Sequence, residues 1–169
     1  MMNARRHRWT LPGRWRFALA SWRSESGAAL VEFTLLAPFL LFLGLGMSEF
    51  GRFLYQYQLV LDGLRDGTRY LARLQDPTTT ANQTSAANLA VTGTIDGTGA
   101  ARVDGWVAAD VTFTIENIDN SAGTYRGDST IHVVHAATTF DYADVGFLAA
   151  LGLPALSVAA THEQRAIRE

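Results

Sequence analysis

The chain has 169 residues, no cysteine and a formal net charge of −2. That length holds one modest domain beside a membrane anchor, but not two. The missing cysteines exclude disulfides, a lipid-modified N-terminal Cys, thiol catalysis and thiolate metal sites. An exported domain of this composition must therefore draw its stability from packing or from partners.

The charge is divided unevenly along the chain. Before Gly27 there are six arginines against Glu25 alone; from Ala28 onward eight arginines face fifteen acidic residues. A basic segment ahead of an apolar span stays in the cytoplasm and places the downstream chain outside. The acidic excess of that downstream part argues against nucleic acid as its partner, because phosphate binding needs the opposite charge.

Residues 1–27 are polar and basic, with Trp9, Trp15, Phe17 and Trp22 among the arginines and a Pro12-Gly13 break. This composition predicts a cytoplasmic leader lying against anionic lipid headgroups. From Ala28 to Met47 the only ionisable side chain is Glu32. About 20 apolar residues at 1.5 Å rise cover roughly the 30 Å hydrocarbon core of a bilayer, so 28–47 reads as a transmembrane helix. Pro38 falls inside it and should kink it unless a neighbour accommodates the lost hydrogen bond.

Residues 48–75 continue the helix with a changed character. Phe50, Phe53, Leu54, Tyr57, Leu61, Leu64 and Leu71 recur at helical spacing and predict one buried stripe. Arg52, Gln56, Asp62, Arg65, Asp66, Arg69 and Arg73 are expected mostly on the other faces. Asp62–Arg65 and Asp66–Arg69 have the spacing of ion pairs within a helix. The pattern fades at Gln75-Asp76-Pro77, where proline disfavours helix in the residue before it.

Residues 76–169 read as a β-rich extracytoplasmic domain. A short helix is expected at 85–91 within a loop rich in Thr, Ala, Asn and Gly. Val111, Phe113 and Ile115 alternate with Thr112, Thr114 and Glu116, the pattern of a half-buried strand. After a turn region at 117–128, the stretch 130–142 is a second strand rich in β-branched and aromatic residues. Residues 147–154 form a small apolar loop or helical turn, and 155–166 a third, weaker strand. The expected fold is α+β: a long N-terminal transmembrane helix whose amphipathic extension packs on a small antiparallel sheet of about three strands.

The sequence offers no catalytic constellation and implies no cofactor. A Gly-x-Ser-x-Gly elbow, a phosphate loop and a dinucleotide fingerprint are all missing. His132 and His135 are three apart in an expected strand and so point to opposite faces, which disfavours a shared metal. Asp141 and Asp144 read as turn chemistry. An enzyme is the least favoured class.

At Gly27-Ala28-Ala29-Leu30-Val31-Glu32-Phe33 the sequence resembles the TadE-like proteins, minor pseudopilins of bacterial tight-adherence pilus systems. The likeness runs through Pro38, Glu49-Phe50-Gly51-Arg52 and Tyr55 to Leu64-Arg65-Asp66-Gly67-Thr68-Arg69. The resemblance implies cleavage between Gly27 and Ala28 by a prepilin peptidase, with the apolar helix retained. Glu32, with Phe33 beside it, would be the assembly residue. It implies the inner membrane, other pilin and pseudopilin subunits and the pilus secretion machinery as partners. The N-terminus would be cytoplasmic and the C-terminal domain periplasmic or extracellular, the chain staying in the membrane or entering the filament. Physical chemistry is consistent with each role. Glycine lets backbone enter a narrow protease cleft without a side-chain clash. Glu32 lies about 6 Å along the helix from Ala28 and suits the new amine of a neighbouring subunit.

Two rival expectations remain. One is an uncleaved, signal-anchored periplasmic binding protein. The other is a secreted protein cut by ordinary signal peptidase at Gly44-Leu45-Gly46.

Overall fold

The computed structural model describes residues 25–166, so the expected basic leader lies outside the described residues except for its last three. Contacts divide the chain into two compact units, one ending at Leu45 and one beginning at Gly46. Helix α1 (Glu25–Arg73) is common to both.

In the first unit the helix carries its apolar residues outward. Leu30, Val31, Phe33, Leu35, Leu36, Phe39, Leu40, Leu41, Phe42 and Leu43 are all exposed. Among the described residues one helix, Gly27–Arg73, is long and apolar enough to cross a membrane, and its most apolar window is wholly unburied. A helix hydrophobic all round has no water-facing side, as a bilayer span requires. Pro38 sits inside α1 without ending it. Four residues before it the Thr34 hydroxyl donates to the Leu30 carbonyl at 2.7 Å, satisfying that polar group within the helix.

The second unit has two layers. One is the C-terminal half of α1 with α2 (Thr80–Thr92). The other is a three-stranded antiparallel sheet of β1 (Val111–Asp119), β2 (Thr130–Asp141) and β3 (Ser157–Arg165) in sequence order. A 3₁₀ turn at Ala108–Asp110 leads into β1, and a one-turn helix, α3 (Phe147–Ala150), interrupts the β2–β3 connection. This is the expected α+β arrangement. The helix after Pro77, expected over 85–91, runs from Thr80 to Thr92 and is capped at its C-terminal end. Gly93 adopts a left-handed φ of 78° and its N–H donates to Leu89 O at 2.9 Å.

Register explains which strand residues are inside. Phe113 stands opposite Ala136, and Ala136 opposite His162; Ile115 opposes Val134, and Phe140 opposes Val158. These residues share the face toward the helices, and Phe113, Val134, Ala136, Phe140 and Val158 are buried there. Trp106, 1% exposed, closes the core. Its ring stacks on Phe140 at 6.0 Å, and its indole N–H donates to the Thr138 hydroxyl at 2.9 Å. A buried tryptophan with its one polar atom satisfied contributes its full apolar area without an unpaired donor.

The buried stripe of α1 differs from the expected one. Phe50 and Leu54 are exposed, whereas Glu49, Gln56, Val60, Gly63, Leu64, Gly67, Thr68, Leu71 and Ala72 are buried. Three of these are polar and two are glycines, so a count of large apolar residues leaves them out, although Leu64 and Leu71 are fully buried and Phe53, Tyr57 and Leu61 pack against the core as expected. Thr68 bonds back to Leu64 O at 2.9 Å, which lets a hydroxyl sit in the core.

The β1–β2 turn is built on Asn120, which is 4% exposed. Its side-chain amide donates to the carbonyls of Tyr125 and Asp128, and its Oδ1 accepts from the Tyr125 N–H. One buried side chain thus substitutes for backbone pairing that the turn cannot supply.

Candidate functional site

The residues singled out at the N-terminus lie in the first unit, on the first turns of α1. Gly27 is half-buried; Ala28, Glu32 and Phe33 are exposed. Ala28 and Glu32 are one turn apart on one face. The Gly27–Ala28 bond is helical, lying within α1. Glu32 carries a carboxylate on a helix face otherwise apolar, where an unpartnered charge is costly. Phe33 continues into a groove shared with Ala37, Leu40, Leu41, Gly44 and Leu45 along the same helix.

The second half of the motif-bearing segment is structural. Gly63 and Gly67 let α2 approach α1 at backbone distance. A Cβ on Gly63 would collide with Ala90 O and lie 2.8 Å from the Trp106 ring. On Gly67 it would lie 2.9 Å from Ala86 O and 3.0 Å from the Phe113 ring. Two glycines four apart meeting two alanines four apart is a small-against-small crossing, and it brings main chain to main chain. The Arg-Asp-Gly element at 65–67 is thereby explained in part. Asp66 does not pair with Arg69 as its spacing suggested; its Oδ2 takes the Arg102 guanidinium at 2.6 Å. Asp62 does pair with Arg65, at 2.9 Å on an exposed face.

Sequence reasoning missed the most buried acid. Glu49, 7% exposed, accepts the Tyr142 hydroxyl proton at 2.7 Å. The Tyr142 ring meets Phe53 edge to face at 5.3 Å and 81°. Burial first, then the hydrogen bond and charge of Glu49, push the Tyr142 phenol up to about 12. The available signal was the acid that opens Glu49-Phe50-Gly51-Arg52, one helical step past the apolar run. The spacing alone gave it no partner.

The histidines are separated as expected. His132 contacts the Asn117 amide oxygen beside it on the helix-facing side. His135 points the other way, its Nε2 3.0 Å from Glu116 and its Nδ1 3.9 Å from Glu163. His162 faces the helices; burial, and then the Arg65 charge, lower its pKa from the ordinary imidazole value.

Comparison with known proteins points to the segment that carries these features. Residues 27–69 match the family model described as TadE-like protein. No match was found among curated proteins or solved structures. The matched segment opens at Gly27, takes in Glu32, the apolar helix and Glu49, and closes on Arg69 beyond the Gly63–Gly67 crossing. The similarity to TadE-like proteins is thus confined to residues 27–69, the segment that carries the Gly27–Phe33 motif and the apolar helix.

Proposed function

We propose that this protein is a membrane-inserted minor pilin, or pseudopilin, that acts in assembly of a tight-adherence pilus. The observation that carries this is the TadE-like match over the one segment that joins Gly27, Glu32 and an outward-facing apolar helix. A prepilin peptidase cuts between Gly27 and Ala28 at the cytoplasmic face, and the helix stays in the inner membrane. The C-terminal domain stands on the far side. The new Ala28 amine and the Glu32 carboxylate of a neighbouring subunit neutralise each other, while Phe33 and the groove beside it take an adjacent apolar helix. The mechanism is association. An ion pair in a low-dielectric medium favours its partners strongly because neither charge has water as an alternative.

The test is N-terminal sequencing of protein recovered from its native membrane, which should begin at Ala28. A chain that still begins at Met1 or Met2 defeats the cleavage claim and leaves the rival, a signal-anchored binding protein. Glu32→Ala separates the two further. A pilin loses pilus assembly while membrane insertion is kept; a simple anchored domain loses neither.

A further inference from the structure

We propose that the β2–β3 connection, residues 145–156, is a second membrane-contacting element that lies in the outer interface of the bilayer beside α1. The proposal rests on the membrane anchoring of α1.

Its first support is composition. From Val145 to Thr161 there is no ionisable side chain. Val145, Leu151, Leu153 and Leu156 are 69, 37, 51 and 45% exposed, and every residue from Ala149 to Ser157 is exposed. A water-facing loop is normally polar; so long an exposed apolar run marks a surface that something apolar covers.

Its second support is position along the helix. Tyr142, where the connection begins, contacts Glu49 and Phe53. Five residues on, the Phe147 ring lies against Gly46, with ring atoms 3.8 Å from where a Cβ on that glycine would be. The connection thus steps from Phe53 to Gly46, about 10 Å along the helix axis, toward the apolar run and away from the charged part. Gly46 and Met47 are the last residues of that run.

The third support is the backbone, because polar main-chain groups enter lipid only when bonded internally. The N–H of Leu148 donates to Asp144 Oδ2 at 2.8 Å. The N–H groups of Ala150, Leu151, Gly152 and Leu153 donate to carbonyls of residues 146–149. Leu156 O accepts from Tyr142 N at 2.8 Å. An amphipathic element of this kind settles roughly 5–10 Å into the boundary between headgroups and acyl chains.

The full chain has no cysteine, so single cysteines carry a polarity-sensitive fluorophore without interference. Leu153→Cys samples the connection, Leu43→Cys the span, and Tyr125→Cys the turn at the other end of β2. Each labelled protein is reconstituted into phosphatidylcholine–phosphatidylglycerol vesicles with nitroxide lipids labelled near the headgroup or deep in the chain. The expected result is a blue-shifted emission at 153, lost mainly to the shallow nitroxide, with 43 quenched by the deep nitroxide and 125 unaffected. Quenching at 43 without quenching at 153 overturns this inference and leaves the anchor standing. No quenching at either overturns both. Equal quenching at 153 and 125 also overturns it, as contact without orientation.

Discussion

The hydroxyl of Tyr142 donates to Glu49 Oε1 at 2.7 Å across 93 positions of sequence, and both residues are buried. This bond ties the end of β2 to α1 just where the helix leaves its apolar run. Tyr142→Phe keeps the ring contact with Phe53 and removes the hydroxyl that Glu49 accepts from. The expected loss is about 1–3 kcal/mol of unfolding free energy, the usual cost of a buried polar group left without its partner. Denaturant unfolding of the reconstituted or detergent-solubilised protein, followed by Trp106, measures it. Glu49→Gln, which restores a neutral acceptor, should lose less.

The same pair makes an alkaline prediction. In the folded protein the Tyr142 phenol is pushed up to about 12, above its ordinary 10.0. The unfolded chain therefore releases this proton first. Stability held below pH 10 should fall as pH rises through the interval from 10 to 12. Phenolate absorbance should show a late-ionising phase from Tyr142. The late phase should vanish in Tyr142→Phe.

Gly63 and Gly51 predict opposite signs for one substitution. Gly63→Ala forces a methyl onto the Ala90 carbonyl and Trp106, and should destabilise by about 1–3 kcal/mol or more. Gly51→Ala has nothing within 4 Å of the new carbon and lies in a helix interior. It should stabilise by about 0.5–1 kcal/mol through reduced backbone entropy of the unfolded chain. Thermal unfolding of the two variants side by side decides it. Equal shifts would mean that α2 does not approach α1 at this crossing.

His162 supplies an acid-side prediction. Its folded-state pKa is lowered by burial and by Arg65, so the unfolded chain takes up the proton first. Stability should decline as pH falls below the ordinary imidazole value of 6.5 and continue to fall until the folded form protonates. His162→Gln should flatten this part of the curve. A melting-temperature series from about pH 8 to about pH 5 in both proteins checks it.

The two ion pairs of α1 should rank by burial. Asp66–Arg102 joins distant segments with Arg102 mostly covered, whereas Asp62–Arg65 is exposed at both ends. A double-mutant cycle should give roughly 1 kcal/mol for the first and about 0.3–0.5 kcal/mol or less for the second. Added salt should erode the second more.

Much of the molecule is legible in the amino-acid order because the relevant physics is local. About twenty apolar residues in succession make a membrane-length helix whatever the rest of the chain does. Alternation at 111–116 and β-branched residues at 130–142 make strands, and the Gly27-to-Arg69 pattern carries the similarity to TadE-like proteins. What tertiary structure alone decided is non-local. The stripe of α1 is incomplete in the sequence because buried Glu49, Gln56 and Gly63 look like surface residues until Tyr142, Trp106 and Ala90 arrive from elsewhere. Asp66 had an arginine at helical spacing and took Arg102 instead, a partner supplied by the chain beyond α2. Periodicity reports how a segment divides between inside and outside; which charge meets which, and which glycine must stay a glycine, depends on segments that meet only after folding.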